Sequence, residues 1–78
     1  MVERVIEIYT YGCEVRVKGD TYPIRQILRA FGFTWLPGKR QWLSRTMHAD
    51  EVARILRRLL LKLGYTVDSN GNIFKPIS

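Results

Sequence analysis

Phe33-Thr34-Trp35-Leu36-Pro37-Gly38-Lys39-Arg40-Gln41-Trp42-Leu43-Ser44 is the stretch whose reading decides the fold. Two short runs rich in aromatic and aliphatic residues flank Pro37-Gly38-Lys39-Arg40, a composition that makes a turn. With Gly38-Lys39 as the loop residues, position 37 faces 40 and position 35 faces 42. Trp35 and Trp42 then form a direct cross-strand pair.

Upstream of this hairpin the spacing changes from two to about 3.6 residues. Ile24, Ile27, Leu28 and Phe31 recur at i, i+3, i+4 and i+7, one apolar stripe of a helix. Asp20 or Thr21 is placed to cap it, Pro23 suits its first turn, and Gly32 ends it. Before that lie two alternating strands. In residues 2–11, Ile6 and Ile8 fall on one face and Glu7, Tyr9 and Tyr11 on the other. In residues 13–18, Cys13, Val15 and Val17 alternate with Glu14, Arg16 and Lys18, which reads as a half-buried antiparallel strand with a wet, basic face.

Downstream, Val52, Ile55, Leu56, Leu59, Leu60 and Leu63 form a wide stripe on a second helix, 49–63, with Thr46 or His48 as its cap and Asp50 and Glu51 favouring its dipole. Leu61 lies opposite the stripe among Arg54, Arg57, Arg58 and Lys62, and Gly64 ends the helix. Tyr65-Thr66-Val67 and Ile73-Phe74-Lys75 flank Asp68-Ser69-Asn70-Gly71, whose Asn-Gly pair signals a hairpin. The expected architecture is α+β: an antiparallel sheet in ββαββα order plus a short C-terminal hairpin, with two helices on one face. Residues 1–78 form a single domain in this reading.

A chain of 78 residues buries only about 60% of its unfolded surface, so its core needs reinforcement. Cys13 is the single cysteine, which rules out an internal disulfide, and Cys13 with His48 falls short of a four-ligand zinc site. No cofactor or metal is expected. Self-association is the remaining reinforcement, and the broad apolar face of helix 49–63 is the expected contact. The lone cysteine and the lack of a secretory signal or membrane span suggest a cytoplasmic setting.

Thirteen Lys and Arg, nine of them Arg, stand against seven acids, for a net charge of +6. An Arg-biased excess suits a phosphate partner, since guanidinium forks match phosphate oxygens and stack on flat rings. Catalysis is not expected: the acids are scattered, and nothing in the spacing brings Cys13 to His48. Single-stranded nucleic acid needs cations for its phosphates and flat side chains for its exposed bases, and one sheet face can present both. The candidate binding residues are Tyr9, Tyr11, Arg16 and Lys18 on the first strand pair, and Trp35, Lys39, Arg40 and Trp42 on the hairpin. If they share one face, unstacked single strands are favoured over a duplex. Either tryptophan could instead belong to the core, because Trp buries a large area.

The run Gly19-Asp20-Thr21-Tyr22-Pro23-Ile24-Arg25 through Leu28, then Phe31-Gly32-Phe33-Thr34-Trp35 and Lys39-Arg40-Gln41-Trp42, resembles the DNA-binding domain of the ThermoDBP-type single-stranded DNA-binding proteins of thermophilic archaea, and more closely their short related proteins. The similarity covers about residues 2–63 and is most specific over residues 22–42. It implies an α+β domain holding single-stranded DNA, without strong sequence preference, in a cleft lined by aromatic and basic residues. It also implies a homo-oligomer, a dimer or tetramer. Longer members carry a C-terminal coiled coil for this, and these 78 residues contain no such heptads. Helix 49–63 or the terminal hairpin is then expected to make the contact. A single-stranded RNA-binding module shares the same chemistry, and a protein–protein adaptor acting through helix 49–63 is the reading from another class.

Overall fold

The alternating residues of the first two runs form strands because each presents β-branched side chains to one side and charge to the other. In the computed structural model, which describes residues 3–67 and 72–76, β1 (Glu3–Tyr11) and β2 (Glu14–Gly19) pair antiparallel, with Ile8 opposite Val17 and Tyr9 opposite Arg16. A 3-10 turn (Tyr22–Ile24) runs into the short helix α1 (Arg25–Ala30). The hairpin follows as β3 (Thr34–Leu36) and β4 (Gln41–Arg45), then helix α2 (Ala49–Lys62), and last β5 (Thr66–Val67) and β6 (Ile73–Pro76).

All six strands join one antiparallel sheet in the order β3-β4-β2-β1-β6-β5. The α+β class, the strand order along the chain and the helices packed on one face are as the sequence predicts. The terminal hairpin is built into the sheet through β6, which lies against β1. Its Asn70-Gly71 turn lies outside the described residues.

The core lies between the helices and one sheet face. Ile6, Ile8, Val15 and Val17 meet Ile24 and Leu28 of the first helical segment and Ala53, Leu56 and Leu60 of α2, all buried. The buried line of α2 is Ala49, Ala53, Leu56 and Leu60, which differs from the expected stripe. Ile55 and Leu63 are exposed instead. The two alanines let the helix approach the sheet closely, so α2 turns that side inward and leaves one edge of its leucine-rich stripe outside. On the other edge Arg57 reaches the Ile8 carbonyl at 3.3 Å.

Both helices end in the same way. Gly32 has φ +86°, its N–H reaches the Arg29 carbonyl and the Phe33 N–H reaches the Leu28 carbonyl, the Schellman pattern. Gly64 and Tyr65 repeat it on Leu61 and Leu60. In each case the residue after the glycine is a buried aromatic, so the cap also delivers a ring to the core.

The caps expected at the N-termini do other work. His48 occupies the N-cap of α2 without a side-chain bond, and its N–H donates to the Thr46 hydroxyl at 3.1 Å. Thr21 precedes the 3-10 turn but its hydroxyl is committed elsewhere.

Candidate nucleic-acid interface

The hairpin register places Trp35 opposite Trp42 and Leu36 opposite Gln41, with residues 37–40 as the turn. Lys39 N–H closes the turn on the Leu36 carbonyl at 3.2 Å, and Arg40 adopts φ +53°, a left-handed conformation uncommon outside glycine. Lys39 and Arg40 are exposed there. On its other side β4 pairs with β2, and Trp42 faces Val17. Directly paired residues share a face, so both tryptophans point to the helix side of the sheet.

Their environments differ. Trp42 is 5% exposed and Trp35 is 41% exposed, with ring centroids 5.3 Å apart and planes tilted by 56°. Trp42 is therefore core, and only Trp35 offers a ring to a ligand. The Trp42 indole N–H donates to the Thr21 hydroxyl at 2.9 Å, a buried bond between β4 and the start of the 3-10 turn.

That bond brings a second wall beside the tryptophans. Tyr22 is exposed, and the Arg25 guanidinium lies 3.9 Å from its ring centroid while donating to the Tyr22 carbonyl at 2.7 Å. Arg29, one turn on, lies 6.0 Å from the Trp42 ring. Between this wall and Trp35 is an open cleft of about 330 Å³, with Gly19, Asp20 and Thr21 also lining it. Among the described residues, neither Arg25 nor Arg29 has a carboxylate within ion-pair distance.

The opposite sheet face carries the other half of the expected set. Tyr9 and Tyr11 are exposed there beside Arg16 and Lys18. Their cations are engaged with acids on the same face: Arg16 with Glu14 at 3.0 Å, Lys18 with Glu7 at 3.5 Å, and Arg45 with Glu14 at 3.5 Å. Lys18 also sits 5.3 Å from the Tyr9 ring centroid. The Tyr9 hydroxyl, with the Glu7 carboxylate, holds the Lys18 ammonium above its ordinary value.

The eight candidate residues thus divide into three places. Tyr9, Tyr11, Arg16 and Lys18 are together on the open face. Trp35 and Trp42 are together on the helix face, and Lys39 and Arg40 are at the hairpin tip. The expectation that Arg16, Lys18, Lys39 and Arg40 share one face with the rings is corrected by the register, since pairing Trp42 with Val17 and Leu43 with Arg16 sends the tryptophans and Arg16 to opposite sides.

Sequence reasoning passed over Tyr22, Arg25 and Arg29. Their signal is the spacing i, i+3, i+7, a polar stripe beside the apolar stripe of the same helical segment. Among the described residues no group of three or more His, Cys, Asp or Glu is placed to hold a metal ion, and no helix is long and apolar enough to cross a membrane.

No protein-family model, curated protein or solved structure matches this chain.

Proposed function

We propose that this protein binds single-stranded nucleic acid, taken as DNA, with little sequence preference, and that it does so in the cleft between Trp35 and the Tyr22–Arg25 pair. The observation that carries this reading is that one open cleft holds exposed rings together with two guanidiniums that, among the described residues, have no carboxylate within ion-pair distance. A base unstacked from its neighbours gains about 1–3 kcal/mol on a protein ring. Trp35 supplies that ring, and the Arg25 guanidinium, 3.9 Å from the Tyr22 ring centroid, supplies a second planar surface. Arg29, with Lys39 and Arg40 on the hairpin tip, supplies positive charge for the phosphates. A duplex keeps its bases stacked inside and gains nothing from such rings. The resemblance of residues 22–42 to the ThermoDBP-type proteins supports the same partner.

The open face supports nucleic-acid binding less well. Its cations would have to leave Glu7 and Glu14 to meet phosphates.

The deciding experiment is a tryptophan-fluorescence titration with single-stranded DNA, single-stranded RNA and duplex DNA of one length, on the wild-type protein and on Trp35→Phe. Quenching by single strands that is lost without the Trp35 indole supports the reading. Equal binding of duplex, or unchanged emission with all three, overturns it. RNA binding tighter than DNA binding redirects it to an RNA module.

A further inference from the structure

Helix α2 presents a row of cations that the cleft does not use. Arg54, Arg58 and Lys62 stand at i, i+4 and i+8, so they follow one another along the helix surface at axial steps of about 6 Å. All three are exposed. At about 100° per residue the row lies opposite the buried line Ala49, Ala53, Leu56 and Leu60, on the outermost side of the helix layer. Among the described residues, no carboxylate lies within ion-pair distance of any of the three. Arg57 is set apart from the row, because its guanidinium is held on the Ile8 carbonyl at 3.3 Å. We infer that the row is a phosphate track, over which a single strand with a base in the Trp35 cleft continues across the helix side of the molecule. The inference rests on the single-strand reading of that cleft.

The cleft needs such a continuation. At about 330 Å³ it is at the small end of ligand sites. It takes little of a polynucleotide, and the rest of a bound strand has to lie on neighbouring surface. The Trp42–Thr21 bond sets the 3-10 turn beside β4, while α2 packs over β1 and β2, and β2 is next to β4 in the sheet. Cleft and row are thus on the same side of the sheet, with α1 between them. From Tyr22 to Phe31 the chain has no acid, and Gln26 and Ala30 are exposed along it. A strand that crosses α1 therefore meets neutral side chains and Arg29. On α2 the acids Asp50 and Glu51 are in the first turn, which keeps a polyanion to the later turns where the row stands.

The borders of the row suit an unpaired strand. Ile55 and Leu61, each 48% exposed, flank it on either side. When phosphates follow the cations, unpaired bases are free to lie against these aliphatic side chains. The bases of a duplex are not. The step of the row is also close to that between successive phosphates of an extended strand, so each cation can meet its own phosphate.

The test compares two strand lengths. Labelled oligothymidylates of about four and about twenty nucleotides are titrated by fluorescence anisotropy over a range of salt. The proteins are the wild type, Trp35→Ala, the triple variant Arg54→Gln with Arg58→Gln and Lys62→Gln, and the double variant Arg54→Lys with Arg58→Lys. Glutamine keeps helix propensity, and far-UV circular dichroism checks each fold. For the long strand, the triple variant should lose about 2 from the slope of log affinity against log salt, about 0.7 per contact, and at least roughly tenfold in affinity. It should bind the short strand as the wild type does. The lysine variant keeps the charges and should keep the slope. A long-strand slope unchanged in the triple variant, an equal loss for the short strand, or a slope lost in the lysine variant overturns this inference and leaves the cleft standing. Binding of both strands that is indifferent to Trp35→Ala overturns the cleft reading, and with it the track as its continuation.

Discussion

The indole N–H of Trp42 is bonded to the hydroxyl of Thr21 at 2.9 Å, with both residues 5% exposed. This one bond ties the edge hairpin to the start of the 3-10 turn, and so joins the two walls of the cleft at its floor. Removing the acceptor strands a buried donor, which costs about 1–3 kcal/mol. Thr21→Val keeps the shape and should lower stability by that amount in a denaturant titration. Thr21→Ser keeps the hydroxyl and should lose well under half as much.

The two tryptophans should respond differently to truncation. Trp42→Ala empties a core site and should cost about 3–5 kcal/mol of stability, enough to unfold much of a marginal domain. Trp35→Ala, at a half-exposed site, should cost less, about 0.5–1.5 kcal/mol for the lost ring pair with Trp42. It should weaken single-strand binding by about 1–3 kcal/mol, read as a drop of one to two decades in affinity.

Cations of the cleft and of the open face should separate in salt. Each phosphate contact on a single strand contributes about 0.7 to the slope of log affinity against log salt. Arg25→Ala and Arg29→Ala should each flatten that slope by about this amount, whereas Arg16→Ala should leave it unchanged because Arg16 is spent on Glu14. A slope that flattens for Arg16 and not for Arg25 would move the site to the open face.

Gly19 closes β2 at φ +104°, and a Cβ there would collide with the Val5 carbonyl oxygen of β1. That carbonyl also accepts the Asp20 N–H at 2.9 Å, so the strand cannot step aside without losing the bond. Gly19→Ala should cost more than about 1 kcal/mol, seen as a lower denaturation midpoint. Gly38→Ala, with open space around its Cβ, serves as the control.

Lys18 should titrate above its usual 10.5, since the Tyr9 hydroxyl and the Glu7 carboxylate both favour the ammonium. A raised folded value adds stability that is fully present below the unfolded value and is lost as pH rises through the folded one. The affected window therefore lies above pH 10.5, and neutral pH is insensitive to it. NMR titration of the Lys18 side chain should give a midpoint that falls toward 10.5 in Glu7→Gln and further in Tyr9→Phe with Glu7→Gln.

Much of the fold is legible in local pattern. Alternation in residues 5–9 and 14–18, the i, i+3, i+4, i+7 stripe of Ile24 to Phe31, and glycines at 32 and 64 each act over a few residues, and the structure has the corresponding elements. The Trp35–Trp42 pairing is also local, because a four-residue turn leaves one register that matches both strands. The buried side of α2 was less legible. Leucine content pointed to Ile55 and Leu63, but close approach to the sheet selected Ala49 and Ala53, and close approach is a property of two elements together.

The candidate site divides along the same line. By itself the sequence determined which residues could do the work: an arginine-rich charge, alternating rings and cations, and two strands that pair through Trp35 and Trp42. Only the tertiary structure decided which of them meet. Pairing β4 with β2 turned Trp42 into the core, set Arg16 and Lys18 on the far face with Glu7 and Glu14, and left Trp35 beside Tyr22, Arg25 and Arg29. A side chain's face follows from the register of its strand against a neighbour distant in the chain. Whether a cation is free follows from which acid that register brings beside it.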